Sequence, residues 1–337
     1  MPANLTPAYK TAEAHYRRAR EPADRLDALK EMLRAIPKHK GTEHLQADIK
    51  AKIKELTDEL SGPRKGGAKT GPPTVVRPDG AGQIALIGPP NSGKSALHAA
   101  VTGSHAQVAD YPFTTQYPMP GMMPVHDIAI QLVDLPPISV EHPIPWISNA
   151  LHPADGALLV VDLSAPGVVE RVIALHELLG ERRVILTDEW PTDSRDDREE
   201  DDLFTKVIPT LLVGSKADLL EDSSEELAVL EELAEISYPY LAVSTETGQG
   251  LDQLGSWLFD HLGVVRVYTK VPGKDPDMDR PYTVRQGATV HDVALLVHRD
   301  IAEGLKYARA WGSSEHDAQH VGADHRVEDG EVLELHV

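Results

Sequence analysis

The stretch Gly88-Pro89-Pro90-Asn91-Ser92-Gly93-Lys94-Ser95 meets every fixed position of a phosphate-binding loop, and nothing else in the chain restricts the fold so tightly. Such a loop joins a buried strand to the N-terminus of a helix, where successive backbone N–H groups converge on phosphate oxygens. The flanks agree. An apolar run, Gln83 to Ile87, precedes the loop, and Ala96 to Val101 has the composition of a helix start. Lys94 would place positive charge at the terminal phosphates, and the Ser95 hydroxyl would take one Mg²⁺ position. Gly88, Asn91, Ser92, Gly93, Lys94, Ser95 and Ala96 are therefore the expected phosphate contacts.

Which base the loop serves is decided further along, where the apolar run Leu211-Leu212-Val213-Gly214 ends in Ser215-Lys216-Ala217-Asp218. A carboxylate at Asp218 can accept from the N1–H and the exocyclic amine of guanine, a donor pair that adenine lacks. Lys216 would lay its aliphatic stem along the base and point its ammonium at the phosphate loop. The next strand-like run ends in Val243-Ser244-Thr245-Glu246-Thr247-Gly248, which brings backbone N–H groups at Ser244 and Thr245 toward the guanine carbonyl. GTP and GDP are the expected ligands, and an ATP-using enzyme is disfavoured.

Around these motifs, strand candidates alternate with helical segments: Ile84 to Ile87, Ile128 to Val133, Ala157 to Val161, Arg183 to Leu186, Val207 to Val213 and Leu241 to Val243. That order predicts an α/β domain over 83–263, a doubly wound, mostly parallel sheet with the ligand at the strand C-termini. An acidic stretch, 188–202, interrupts it with nine carboxylates against Arg195 and Arg198, and reads as a solvated loop. Residues 1–62 predict a basic helical hairpin, Thr11 to Arg34 and Thr42 to Leu60, broken by Pro37 and Gly41, with Thr42 as a cap. Residues 63–82, rich in glycine and proline, read as a flexible linker. The first 70 residues hold 15 Lys+Arg against 10 Asp+Glu, while the whole chain carries −20. That total argues against a protein that coats nucleic acid, and DNA is not an expected partner. There is no cysteine, which fits a reducing cytoplasm, and no apolar run approaches the ~20 residues of a membrane span.

Between the phosphate loop and Asp134 lie the candidate switch groups. Asp110-Tyr111-Pro112-Phe113-Thr114-Thr115 offers a threonine hydroxyl, Thr115 being preferred over Thr114, to Mg²⁺ and the terminal phosphate. Asp134, at a strand end before Leu135-Pro136-Pro137, can hold Mg²⁺ through water. Histidines 316, 320 and 325 read as solvent-facing side chains, not as a metal site.

Taken together, the chain resembles the developmentally regulated GTP-binding proteins, the Obg-related P-loop GTPases with a C-terminal TGS domain. The resemblance covers Ile36-Pro37-Lys38-His39-Lys40-Gly41-Thr42-Glu43, the phosphate loop, Tyr111-Pro-Phe-Thr-Thr, Asp134-Leu-Pro, Ser215-Lys-Ala-Asp and Ser244. Its most specific part is the tail: Val265-Arg266-Val267-Tyr268-Thr269-Lys270, Trp311-Gly312-Ser313-Ser314 and Arg326-Val327-Glu328-Asp329-Gly330-Glu331-Val332. It implies a ubiquitin-like β-grasp over 264–337, to which alternating Val265, Val267 and Val271, a helix at Val290 to Ile301 and Val332 to Leu335 correspond. It also implies ribosome or RNA association through 1–62 and the TGS domain, with an accessory protein partner left open, and a K⁺ ion held near the phosphates by Asn91. Three departures stand out: Ser215 replaces the usual asparagine, Pro137 replaces the usual switch glycine, and a basic, glycine-rich insertion expected after Asp134 is missing. Pro137 has no N–H for the γ-phosphate and Ile138 cannot polarise a water, so intrinsic hydrolysis is expected to be slow or absent. Two functions follow: a GTP-dependent switch on the translation machinery, or a GTP/GDP-binding scaffold that scarcely hydrolyses.

Overall fold

The computed structural model describes residues 5–37, 42–61, 74–103, 117–190, 203–312 and 318–337. The chain divides into two compact units: Met1–Arg77 with Asn149–Pro153, and Pro78–Ser148 with Ala154–Val337.

The first unit is built from α1 (Pro7–Arg18), α2 (Pro22–Ala35) and α3 (Glu43–Ser61). The single helix expected over Thr11 to Arg34 is broken, because Pro22 opens a new one. Proline has no N–H to continue a helix and pushes its predecessor to extended backbone, and Glu21 sits at φ −82°, ψ 138°. Thr6 caps α1 by accepting from the Tyr9 amide. Tyr9, Tyr16, Leu29, Met32, Ile49 and Leu56 are buried, and Arg25 donates to the Tyr16 hydroxyl at 2.5 Å with its guanidinium over the ring. Thr42 is buried and donates to the Pro37 carbonyl while accepting from Gln46. Lys50 and Lys54 are exposed, and Lys52 pairs with Glu55 at 2.9 Å.

The second unit begins with a mostly parallel sheet. Its strands are β1 (Gln83–Ile87), β2 (Met119–Val125), β3 (Ile128–Asp134), β4 (Gly156–Asp162), β5 (Val184–Thr187), β6 (Lys206–Ser215) and β7 (Tyr240–Ala242). The order is β2-β3-β1-β4-β6-β5, with β2 antiparallel to β3 and with β7 paired to the C-terminal half of β6. Helices α4 (Lys94–Thr102), α6 (Val168–Glu181), α7 (Ser224–Ala234) and α8 (Leu251–His261) belong to this unit, while α5 (Ile147–Leu151) has its last three residues in the first unit. Because both faces of a parallel sheet are covered, β1 and β4 are buried throughout, and apolar apart from Gln83 and Asp162 at their ends. Ile84, Leu86, Leu158, Val160, Leu211 and Val213 pack with Leu97 of α4 and Leu254 and Leu258 of α8.

Two expectations change here. The sheet reaches back before Gln83: Gly80 bridges Ile130 and Ala81 donates to Ala129, so the end of the expected linker is ordered sheet edge. The acidic stretch is pinned at its start, since Trp190 is buried, donates to the Thr210 carbonyl at 3.2 Å and meets Trp257 edge-on. Residues 191–202 lie outside the described residues, as do 38–41 and 104–116.

The C-terminal part folds as a β-grasp. Strands β8 (Val264–Lys270), β9 (Asp277–Arg285), β10 (Tyr307–Trp311), β11 (Gln319–Val321) and β12 (Glu331–His336) lie in the order β11-β10-β12-β8-β9, with β12 and β8 parallel at the centre. The helix expected over Val290 to Ile301 is two, α9 (Val290–Val297) and α10 (Arg299–Gly304), because His298 is extended and caps the second through its ring. Val271 falls beyond β8 and is exposed. Of the three expected solvent-facing histidines, His320 is exposed but stacked on Tyr307, His325 bonds Glu331, and His316 is outside the described residues.

Candidate guanine-nucleotide site

The loop between β1 and α4 has the backbone its sequence requires. Gly88, Asn91 and Gly93 all have positive φ, at 154°, 61° and 83°. A Cβ on Gly88 would lie 2.2 Å from the Val160 carbonyl oxygen, so no side chain fits there. Gly93 is the N-cap of α4, which aims the first-turn amides of Lys94, Ser95 and Ala96 out of the helix end. Lys94 is buried, and its ammonium donates to the Gly88 and Pro89 carbonyls, each at 3.2 Å. Burial lowers its pKa to about 8, a penalty only partly offset by the Asp134 carboxylate.

Asp134, at the end of β3, accepts the Ser95 hydroxyl proton at 2.6 Å. This pair has the chemistry a Mg²⁺ ion needs: a hydroxyl oxygen able to be a direct ligand and a carboxylate behind it. Thr115, the third expected group, lies outside the described residues. Next to this pair His98 is fully buried, and burial pushes its pKa below the ordinary value. A Cβ on Gly121 of β2 would come within 2.7 Å of that ring, which explains a glycine inside a strand.

The base-reading loops are laced to the phosphate loop. Ser215 Oγ donates between the Ser92 carbonyl at 2.7 Å and the Val161 carbonyl at 3.1 Å. These two bonds make Ser215 a brace between the end of β6, the phosphate loop and β4. Lys216, at φ 54°, reaches back to Asp162 at the end of β4, 2.8 Å away. Asp162 also accepts from the Ser164 amide and hydroxyl. Burial works against its carboxylate, but these bonds and Lys216 outweigh it and hold its pKa below the ordinary value. Asp218 is exposed, and one of its oxygens accepts the Ser244 hydroxyl. Ser244 Oγ in turn accepts from the Glu246 and Thr247 amides, each at 3.2 Å, and the Ser244 amide itself donates to the Gln249 carbonyl at 3.0 Å.

Asp162 was not among the expected site residues. Its only sequence signal is a carboxylate ending the apolar run Ala157 to Val161 between the two motif strands. The segment after Asp134 is tied to β1 and to the phosphate loop. Leu135 donates to the Leu86 carbonyl at 3.2 Å and Ile138 to the Gly88 carbonyl at 3.1 Å. The Ile138 side chain is turned away from the phosphate loop into a small cavity walled by Pro143, Ile144, Leu178 and Leu179.

Comparison with known proteins agrees with this geometry. Residues 83–188 match the family model described as 50S ribosome-binding GTPase, and residues 265–337 match the TGS domain. A GTP-binding protein of Methanocaldococcus jannaschii is 28% identical, across 91% of this chain and 90% of its own length. Developmentally-regulated G-protein 2 of Arabidopsis thaliana is 27% identical, across 93% and 90%. A crystal structure of a GTP-binding protein from Pyrococcus horikoshii covers 75% of this chain and 99% of its own, at 16% identity and a TM-score of 0.48. Fold and site thus define a GTP-binding protein of the P-loop GTPase class with a C-terminal TGS domain. Within that class the chain is similar to developmentally regulated GTP-binding proteins, at 27–28% identity over about nine-tenths of its length. No helix among the described residues is long and apolar enough to cross a membrane.

Proposed function

We propose that this protein is a slow GTP-dependent switch that acts on the translation machinery, binding GTP or GDP with Mg²⁺ and hydrolysing GTP weakly on its own. The observation that supports the nucleotide part is the tying of the Ser215 to Asp218 segment to the phosphate loop through Ser92, to β4 through Asp162 and to the following loop through Ser244. Slow chemistry is supported by Pro137, which has no N–H, and by Ile138, whose N–H is already committed to Gly88 and whose side chain is buried.

The ribosomal part draws on the description of the matching family and on two basic surfaces. One is the exposed Lys50 and Lys54 on α3. The other is the sheet of the TGS domain, where Arg309 is exposed, Lys270 lies over the Trp311 ring at 4.3 Å and pairs with Glu334 at 3.6 Å, and Tyr307 is stacked between His320 and His336. Positive groups among rings suit a polyanion such as RNA.

Binding of labelled GTP, GDP and ATP, followed by phosphate release with and without 50S subunits, tests the reading. We expect guanine selectivity, slow release by the protein alone, and co-sedimentation with 50S subunits that depends on the nucleotide. Equal binding of ATP, or co-sedimentation indifferent to nucleotide, would refute it. Asn91, at positive φ in the loop, is the residue through which K⁺ would act. Phosphate release several-fold faster in K⁺ than in Na⁺ at matched ionic strength is the expected outcome, and equal rates would remove the ion from the site.

A further inference from the structure

The TGS domain is not tethered loosely to the GTP-binding domain. Two residues, Leu262 and Gly263, separate the end of α8 from the start of β8, and Leu262 and Val264 belong to the core of the GTP-binding domain. Polar ties cross the junction. The strongest gathers on Asp127, in the turn between β2 and β3: Arg266 donates to one carboxylate oxygen at 2.7 Å and the Tyr268 hydroxyl to the other. The same guanidinium grips Asp329 through Nε and Nη2, at 3.0 and 2.7 Å, and lies 4.9 Å over the Phe259 ring of α8. His126 meets that ring edge-on. Burial disfavours the Asp127 carboxylate, yet the bonds from Tyr268 and Arg266 outweigh it and hold its pKa below the ordinary value. A second tie runs from Arg285 of β9 to Asp155 at 2.8 Å and to the Leu262 carbonyl at 2.7 Å.

The position of Asp127 gives this knot its meaning. The β2–β3 hairpin has its open end at the nucleotide site: β3 ends at Asp134, which holds Ser95, and β2 starts just after the candidate switch residue Thr115. Its closed end is the turn bound by the TGS domain. Seven residues of strand at ~3.3 Å each make β3 a lever on the order of 20 Å long, stiffened by its ladders to β1 and β2. Were Asp134 to shift when Ser95 takes up a metal and phosphate, the hairpin would carry that shift to the point at which Arg266 and Tyr268 are held.

Building on the switch reading above, we infer that Asp127 is the coupling residue through which nucleotide state at Ser95 and Asp134 is passed along the β2–β3 hairpin to the TGS domain. Coupling of this kind is a free energy shared by two sites through one element that both bias.

Hydrogen exchange on the full-length protein tests it, in the free, GDP–Mg²⁺ and GTP-analogue–Mg²⁺ states. We expect nucleotide to slow exchange over residues 88–97, and exchange over 264–285 to differ between the GDP and GTP-analogue states. Asp127→Asn, close to isosteric, should abolish that difference while leaving protection at 88–97 intact, and Tyr268→Phe, which removes a single hydroxyl, should reduce it. Protection at 88–97 with no difference over 264–285 in the parent, or a difference that survives Asp127→Asn, would overturn the coupling alone. No protection at 88–97 in the parent would overturn the switch reading and the coupling with it.

Discussion

Lys94 and Asp218 make the sharpest residue-level claims. In the free protein the Lys94 ammonium is buried with only loop carbonyls and Asp134 near it, and its pKa falls to about 8. Bound phosphates supply negative charge and return the pKa toward its ordinary value, so above about pH 8 nucleotide binding must take up a proton. Below pH ~7 the residue is charged in both states and contributes no uptake. GDP affinity should therefore fall about tenfold between pH ~7 and ~9, with proton uptake seen by calorimetry in buffers of different ionisation enthalpy. Uptake that is absent at pH ~8.5 would mean that Lys94 is fully charged in the free protein. At Asp218, one oxygen is held by Ser244 and the other is available to the base. Asp218→Asn should shift preference from GTP toward xanthosine triphosphate by roughly 1.5–3 kcal/mol, since the amide can donate to the xanthine carbonyl where a carboxylate repels it. Competition binding reads this directly, and an unchanged preference would remove Asp218 from the base site.

At the level of elements, the segment leaving β3 decides how far this protein can tell GTP from GDP. Residues 134–138 are buried, and Ile138 N–H is committed to Gly88, so the stretch offers γ-phosphate no backbone donor at positions 137 and 138. The parent should bind GTP analogue and GDP with affinities within a few fold. Pro137→Gly restores an N–H and should raise the preference for the analogue by up to ~1.5–3 kcal/mol, the range of a charge-assisted hydrogen bond. A parent that already discriminates strongly would point to another γ-phosphate sensor. The motifs of this site were legible because each is a local backbone demand: glycines where a chain must approach phosphate, and a polar tetrad where a strand stops. Elements whose form depends on tertiary context were less so. β2 reads poorly as a strand because it contains Pro120, Gly121 and Pro124, which an edge position tolerates and a central one would not. The break at His298 and the burial of Trp190 depend on packing that no short window displays. Asp162 and Asp127 lie far in sequence from Lys216 and Arg266, and nothing local to either pair announces its partner.

For the whole molecule, charge sets the terms of any encounter with a ribosome. The chain carries −20 overall, so a polyanion is repelled at long range, and association has to come from local groups within about a Debye length, ~10 Å at moderate salt. The α3 face is one such group, with Lys50 and Lys54 exposed and Lys52 already paired to Glu55. Their exposure lets them change without disturbing the buried side, where Ile49 and Leu56 sit. Lys50→Glu with Lys54→Glu should therefore leave folding and GTP affinity unchanged and weaken co-sedimentation with 50S subunits several-fold at low salt. Every RNA phosphate that the variant no longer neutralises should also flatten the dependence of binding on salt, by roughly 0.7–0.9 in the logarithmic slope. Measuring binding across a salt series separates this from a general loss of folding, which would lower affinity at every salt concentration and abolish GTP binding too. If the double variant binds 50S subunits like the parent at every salt, the helical unit touches no phosphate there, and docking falls to the TGS face with Arg309 and Lys270.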